Sequence, residues 1–331
     1  MLKFDEQKQI DSVRGALALR TSIERIIDRS WAEGIRNICW LGIGGTWASC
    51  MQACCHMKER SELEIIVTNA SEYCTTGDRR IGRGTLVVFS SVTGTTVEIV
   101  EAVEKAKASG AFVFGFVDKP DAPLVSTLDE CISFKANEQL KFFMVADRIL
   151  WHEGVMPEYA DMYAQFDLAL PEALAEVEKE ADDFGKEFAL RYKDDAIHYF
   201  VGAGTLYGAT YSYAMCYWEE MHWIRTKSIH SAEFFHGMLE IVDASTPVTV
   251  FIGEDSQRSL SERVVRFLPK VCSNFTVIDT KAYSLPGIDE AYRPAVSHLV
   301  MHAVTNRIDA HLEALSGHDM QIRRYYRKMD Y

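Results

Sequence analysis

Two hydrophobic periods share the chain. Residues 5–35 repeat apolar positions at helical spacing. "RNICWLGIG" (36–44) is a short apolar run ending in glycine, and "GTWASCMQACCHMKER" continues at helical period. This predicts strand, tight turn, helix. "ELEIIVTNA" (62–70) predicts a second strand. "GTLVVFSSVTGTTVEIVEAVEKAKASG" (84–110) repeats strand, hydroxyl-rich turn and helix. "AFVFGFVD" (111–118) predicts a fourth strand, and "DAPLVSTLDECISFKA" (121–136) a short one near "CISF". Strands alternating with helices predict a parallel sheet covered on both faces.

Residues 137–193 read as helical, including "PEALAEVEKEADDFGKEFALRY". The first pattern then recurs. "GIGGTW" at 42–47 is matched by "GAGTLY" at 202–207, and "PVTVFIGEDSQRSLSERVVRFLPKV" (247–271) repeats the 84–110 unit. "NFTVID" (274–279) repeats "AFVFGFVD". A long-period duplication follows, and with it two similar α/β halves, each with its own parallel sheet. A helical tail ends in "DMQIRRYYRKMDY".

Composition narrows the partners. The 331 residues are 48% hydrophobic and carry a net charge of −13. A large core can be buried, and nothing resembles a basic face for nucleic acid. An anionic ligand would be repelled overall, so any anion site must be local, built from backbone N–H groups and hydroxyls. The eight cysteines (39, 50, 54, 55, 74, 131, 216, 272) form no C-x-x-C pair and read as small buried hydrophobes in a reducing compartment. The polar N-terminus lacks a signal peptide and no apolar run reaches membrane length, which predicts a cytoplasmic protein with no membrane partner.

The halves differ at one turn. The first carries "SSVTGTT" (90–96), where Ser91, Thr93 and Thr96 can converge on an anion and Gly94 lets the chain turn before a helix N-terminus. The second carries "GEDSQRS" (253–259), and Glu254 and Asp255 there would repel a phosphate. Plain N-capping explains a Ser/Thr-rich turn equally. "GIGGTW" is neither a dinucleotide fingerprint nor a P-loop; it fits a close ligand approach or simply a tight turn. Glu219 and Glu220 end an aromatic helix, where a carboxylate at an apolar edge suits a general base and a solvated one does nothing. His236 reads as a core histidine or an acid/base. His222, His230 and His236 lack a metal-site spacing, so no metal is expected, and no G-x-S-x-G elbow supports a serine hydrolase.

The duplicated halves with "GIGGTW", "SSVTGTT" and "EMHWIRTKSIHSAEFFHGMLEIVD", in that order, resemble the sugar isomerase (SIS) domains of phosphosugar-handling enzymes. The last stretch is the most specific. It looks like the deglycases of 6-phosphorylated fructosamine or glucosylamine conjugates of amino acids. The resemblance spans nearly the whole chain. It implies an N-terminal helical segment (1–35), a first SIS domain (36–150), a helical connector (151–194) and a second SIS domain with tail (195–331).

That family has a glutamate sixteen residues ahead of a histidine, which singles out Glu220 and His236. The resemblance assigns proton transfer to Glu220 and ring opening to His236. It implies that Gly45, Thr46, Ser91, Val92 (by backbone), Thr93 and Thr96 hold the phosphate. In several relatives the histidine serves the neighbouring subunit, which implies a homodimer or higher oligomer with active sites at the interface. No cofactor is implied.

Departures sharpen the reading. Thr46 and Thr93 stand where serines are common, which keeps the hydroxyls. Tyr217 replaces a lysine of the glucosamine-6-phosphate synthase branch, and that branch's N-terminal glutaminase domain is not apparent, which argues against ammonia transfer from glutamine. The amino-acid part of a conjugate should meet residues outside this set; His230, Arg324 and Tyr331 are candidates, with Arg225, Lys227 and Arg323. The products would be glucose 6-phosphate and a free amino acid. Two other readings remain: a 6-phosphosugar isomerase or amino-sugar-phosphate deaminase, and a sugar-phosphate sensor without chemistry.

Overall fold

The structure, a computed structural model, describes residues 1–326 and 328–330. The chain divides into two compact units. One comprises Lys8–Pro171 with Gly287–Asp289; the other takes in Met1–Gln7, Glu172–Pro286 and the chain from Glu290 onward.

In the first unit, α1 (Glu6–Leu17) and α2 (Arg20–Ala32) precede β1 (Asn37–Gly42), α3 (Gly45–Met57), β2 (Glu64–Asn69), α4 (Ala70–Thr76), β3 (Thr85–Ser91), α5 (Val97–Ala108), β4 (Phe112–Val117) and β5 (Glu130–Ile132). The five strands are parallel, in the order β2-β1-β3-β4-β5. Every residue of β1 and β3 is buried, as a strand covered on both faces requires. Alternate residues feed two cores. Cys39, Leu41, Val87 and Phe89 pack with Ile99, Ala102 and Val103 of α5. On the other face the ring of Trp40 lies 5.1 Å from Phe142 of α6 (Glu138–His152).

The predicted helical region 137–193 is three helices: α6, α7 (Tyr159–Glu180) and α8 (Asp182–Tyr192). Two elements were not foreseen. The end of "ELEIIVTNA" is not strand, because the Asn69 side chain accepts from Ser71 N (3.0 Å) and caps α4. "TKSIH" is strand β7 (Thr226–His230). It lies at a sheet edge and lacks the apolar run that marks a central strand.

The second unit repeats the plan with β6 (His198–Gly202), α9 (Thr205–Ser212), a π-helical turn (Tyr213–Glu219), β7, β8 (Val248–Ile252), α10 (Arg258–Phe267), β9 (Phe275–Asp279) and α11 (Ser297–Ser316). Its four strands are parallel, ordered β7-β6-β8-β9. Here too the faces separate. Val201, Val248, Val250 and Ile252 pack with Phe234, Met238, Val264 and Leu268. His198, Phe200 and Phe251 face Phe188, Tyr213 and Trp218. The segment after β7 therefore covers one face with two 3₁₀ turns, Phe234–His236 and Met238–Ile241, in place of a helix. After Ser316 the tail is turns rather than helix. Two α/β halves, each a parallel sheet flanked by helices, are as expected.

His198 is wholly buried among these rings. Its Nδ1 lies 2.8 Å from Asp195 Oδ2 and its Nε2 2.8 Å from Thr249 Oγ1. Burial pushes its pKa below the usual 6.5, against the opposing pull of Asp195. The unfolded chain takes up this proton as pH falls below about 6.5 and the folded chain resists it, so stability present at neutral pH is lost on acidification. Urea unfolding should show a falling midpoint between about pH 7 and pH 5. The His198→Gln variant should show a shallower fall; an equal slope in both proteins would remove His198 as the cause.

Candidate active site

In the order β2-β1-β3, the chain leaves β1 and β3 toward opposite sides, so the C-terminal ends of these neighbours border the crevice where ligands bind in such sheets. Both hydroxyl- and glycine-bearing turns open there. After β1, Gly44 has φ +60° and α3 starts at Gly45 with no side-chain cap, which leaves the first N–H groups of the helix for a ligand. A Cβ at Gly42 would stand 2.6 Å from Trp47 N, so the turn cannot be wider. After β3, Gly94 has φ +62°, and a Cβ there would stand 2.6 Å from Ala122 Cβ.

The hydroxyls divide by use. Ser91 is buried and its Oγ accepts from Gly94 N at 3.0 Å. Thr93 Oγ1 accepts from Thr95 N (3.3 Å) and from Thr95 Oγ1 (3.0 Å). Val92 is exposed. Thr96 sits at the N-cap of α5, yet its side chain makes no cap bond. Turn formation therefore accounts for Ser91 and Thr93 but not for Thr96. Thr46 Oγ1 donates to Glu138 Oε2 (2.9 Å). One turn along α6, the buried Lys141 donates to Phe134 O (2.8 Å) and lies 3.8 Å from Asp118. Burial lowers the Lys141 pKa and raises that of Asp118. Glu138 and Lys141 were not foreseen: they lie far along the chain from Thr46, and only the fold unites them.

The matching turn of the second unit has the same shape but is filled. Gly204 has φ +62°, like Gly44. Asp255 Oδ2 accepts from Thr205 N (2.7 Å) and Thr205 Oγ1 (2.8 Å), and Oδ1 accepts from Gln257 N (2.9 Å). A Cβ at Gly204 would stand 2.2 Å from the Asp255 carboxylate. Glu254 is buried against Arg293, with bonds of 2.7 and 2.9 Å. The Asp255 carboxylate thus occupies the turn expected to repel a phosphate.

The two adjacent glutamates part company. Glu219 is exposed and accepts from Thr226 N (3.2 Å) and Thr226 Oγ1 (2.8 Å), which pins it to the start of β7. Glu220 turns elsewhere and accepts from Arg323 Nε at 2.7 Å. The expected apolar surroundings of Glu220 are absent, because Tyr213 and Trp218 point into the core while Glu220 is partly exposed beside a guanidinium. His236 is exposed and follows Phe234, which packs on the other face of the sheet. Glu220 follows Trp218 on the aromatic face, at the start of β7; His236 lies past its end. The residues leading into the two, Trp218 and Phe234, pack on opposite faces of the second sheet.

The remaining candidates scatter. His230 ends β7; its Nδ1 accepts from Ala232 N (3.1 Å) and its ring packs edge-on to Tyr207 at 4.9 Å. Arg324 stacks over Trp223 at 4.0 Å. Arg225 and Lys227 are exposed. Tyr331 lies outside the described residues. His222 is buried, its Nε2 3.1 Å from Asp309 Oδ1, which also accepts from Tyr213 Oη (3.0 Å). A cavity of about 340 Å³ lies at the opposite edge of the first sheet, between the starts of β1, β3 and β4, away from the turns. No described helix is long and apolar enough to cross a membrane.

The SIS domain model matches residues 34–147, the stretch that carries both open turns. Beyond this match, the chain is similar over most of its length to enzymes. It is 28% identical over 285 residues to the fructosamine deglycase FrlB of Bacillus subtilis, covering 83% of this chain and 86% of that one. It is 24% identical over 311 residues to the fructoselysine 6-phosphate deglycase of Escherichia coli K12, covering 92% and 89%. A Bacillus subtilis crystal structure, solved as a candidate phosphosugar isomerase, superposes with a TM-score of 0.89 at 25% identity, covering 96% of this chain and 99% of that one.

Removing the carboxylate of Asp255 leaves the N–H and hydroxyl of Thr205 without their acceptor. The Asp255→Ala variant should lose about 1–3 kcal/mol, read by urea unfolding. Undiminished stability would mean that water replaces the carboxylate at no cost.

Proposed function

We propose that the chain is a deglycase, splitting 6-phosphorylated fructosamine conjugates of amino acids into glucose 6-phosphate and the free amino acid. The observation that carries this reading is the chain-long similarity to two deglycases of fructosamine type. The uncapped turn of the first unit, in contrast to its filled counterpart in the second, fits a substrate with one phosphate.

The chemistry follows from the groups present. Backbone N–H groups at Gly45, Thr46 and Val92, with the hydroxyls of Thr46, Ser91, Thr93 and Thr96, hold the phosphate. This anchors the sugar away from its reacting carbons. His236 moves a proton at the ring oxygen and opens the ring. Glu220 takes a proton from C1 of the open ketose and returns it at C2. The C1–N bond is then at the imine level; water adds at C1 and the amine leaves. No redox change occurs, and a carboxylate and an imidazole suffice.

One sugar cannot touch Glu220 and His236 of the same chain if a sheet separates them. The reading therefore requires a homodimer in which His236 of a second copy completes the site of the first. The free cysteines, eight among the described residues, agree with a reducing, cytoplasmic setting.

A panel of 6-phosphofructosyl amino acids, with released glucose 6-phosphate measured, should show turnover by the wild type. Glu220→Gln and His236→Asn should each lose at least about a hundredfold in kcat. Mixing the two inactive variants under conditions of subunit exchange should restore part of the activity, since a mixed dimer carries one intact pair. A mixture as dead as its components would place both residues in one chain's site. Full activity of either variant alone would end its assigned role.

A further inference from the structure

Beyond α11 the chain turns at Gly317, which has φ +66°, and returns to the corner that holds Glu220. His318, Arg324 and Arg323 help fasten this tail. The ring of His318 packs 4.1 Å from Trp223, the Arg324 guanidinium covers the same indole at 4.0 Å, and Arg323 Nε donates to Glu220 Oε1 at 2.7 Å. A further Arg323 bond goes to the tail's own backbone, from Nη1 to Met320 O at 2.5 Å. Arg323 is thus a largely covered cation, its side chain 18% exposed, attached to the core of the unit through the proposed base. Ile322, Tyr325, Tyr326 and Met329 of the same tail are exposed.

A 6-phosphofructosyl amino acid carries two negative groups, the phosphate and the carboxylate. A protein of net charge −13 must meet each with a local positive group. The turns of the first unit answer the phosphate. For the carboxylate the geometry offers a guanidinium, whose fork matches a carboxylate better than any other side chain does. Its position also fits the chemistry. In an α-linked conjugate, the carboxylate is two bonds from the nitrogen on C1, the carbon that Glu220 deprotonates. A cation one hydrogen bond from Glu220 lies within reach of that carboxylate.

Building on the deglycase reading, we propose that Arg323 determines specificity for α-linked amino-acid conjugates by binding their carboxylate. Glu220 holds Arg323 in the empty enzyme, and the substrate carboxylate takes it over. The exchange swaps one carboxylate partner for another, so the guanidinium stays paired throughout. It also releases Glu220 at the moment its substrate arrives. A conjugate without the carboxylate has nothing to exchange and leaves the base engaged.

The test compares two substrates that differ only in the carboxylate: the 6-phosphofructosyl conjugates of glycine and of methylamine. Wild type, Arg323→Gln and Arg323→Lys are measured with both. The wild type should favour the glycine conjugate roughly tenfold to a hundredfold in kcat/KM. In Arg323→Gln that ratio should collapse toward one, with the change for the glycine conjugate chiefly in KM; Arg323→Lys should recover part of it. If the arginine merely braces the tail or Glu220, both conjugates slow together and the ratio keeps its wild-type value, which overturns the proposal. Turnover by the wild type with no preference for glycine overturns it too, while the deglycase reading stands. Turnover of neither conjugate, where other 6-phosphofructosyl amino acids are turned over, also overturns it; no turnover of any conjugate defeats the deglycase reading and this inference together.

Discussion

A helix that starts directly after a tight glycine turn presents several N–H groups with no partner inside the helix. They must be met by water, by a side chain or by a ligand. This constraint, imposed twice by the duplicated fold, is met in two ways. At Thr205 the protein supplies Asp255 from the neighbouring turn, and the helix start is capped. At Gly45 no side-chain cap is supplied. Glu138 bonds the Thr46 hydroxyl. One half of the duplication has thus become scaffold, with its charge requirement met internally, and the other has kept its requirement open.

The second sheet imposes a different constraint. Parallel strands buried on both faces separate whatever flanks them. The residues around Glu220 belong to the aromatic face, with Phe200, Tyr213 and Trp218, and those around His236 to the aliphatic face, with Phe234 and Val264. Sixteen residues of chain connect them, but they include an entire strand. Closeness in sequence therefore does not by itself make a shared pocket, and the proposed role of a second copy rests on where the chain crosses the sheet.

Much of this was legible in the sequence. The apolar run "RNICWLGIG" had to be a buried strand, and the repeat of its glycine turn at 202–204 announced the second half. Elements lacking a periodic apolar signal were not legible. "TKSIH" is an edge strand, and α4 starts at an asparagine cap hidden at the end of a strand-like run. Within the site, residue types and turns could be read, but partners could not. Thr46 and Glu138 are separated by 92 positions, and Glu220 and Arg323 by 103. No local pattern encodes such pairs. The surroundings of Glu220 were misjudged for a related reason: aromatic neighbours in sequence pointed inward, and the residue that reached the carboxylate came from the tail.

The choice between Glu219 and Glu220 shows how one backbone irregularity sets a site. The helix after Gly204 passes into a π-helical turn at Tyr213, where Glu220 N bonds Met215 O and His222 N bonds Tyr217 O, each five residues back. One extra residue per turn rotates everything beyond it by about 100° relative to an α-helix. In this register the first glutamate meets Thr226 and ties the helix end to β7, while the second faces the tail. A π-helical stretch costs hydrogen-bond quality, and such stretches concentrate where function needs a particular side-chain direction. Here that direction separates a carboxylate bonded to Thr226 from one bonded to Arg323. Two identical side chains at adjacent positions thus acquire different partners from the helix that carries them.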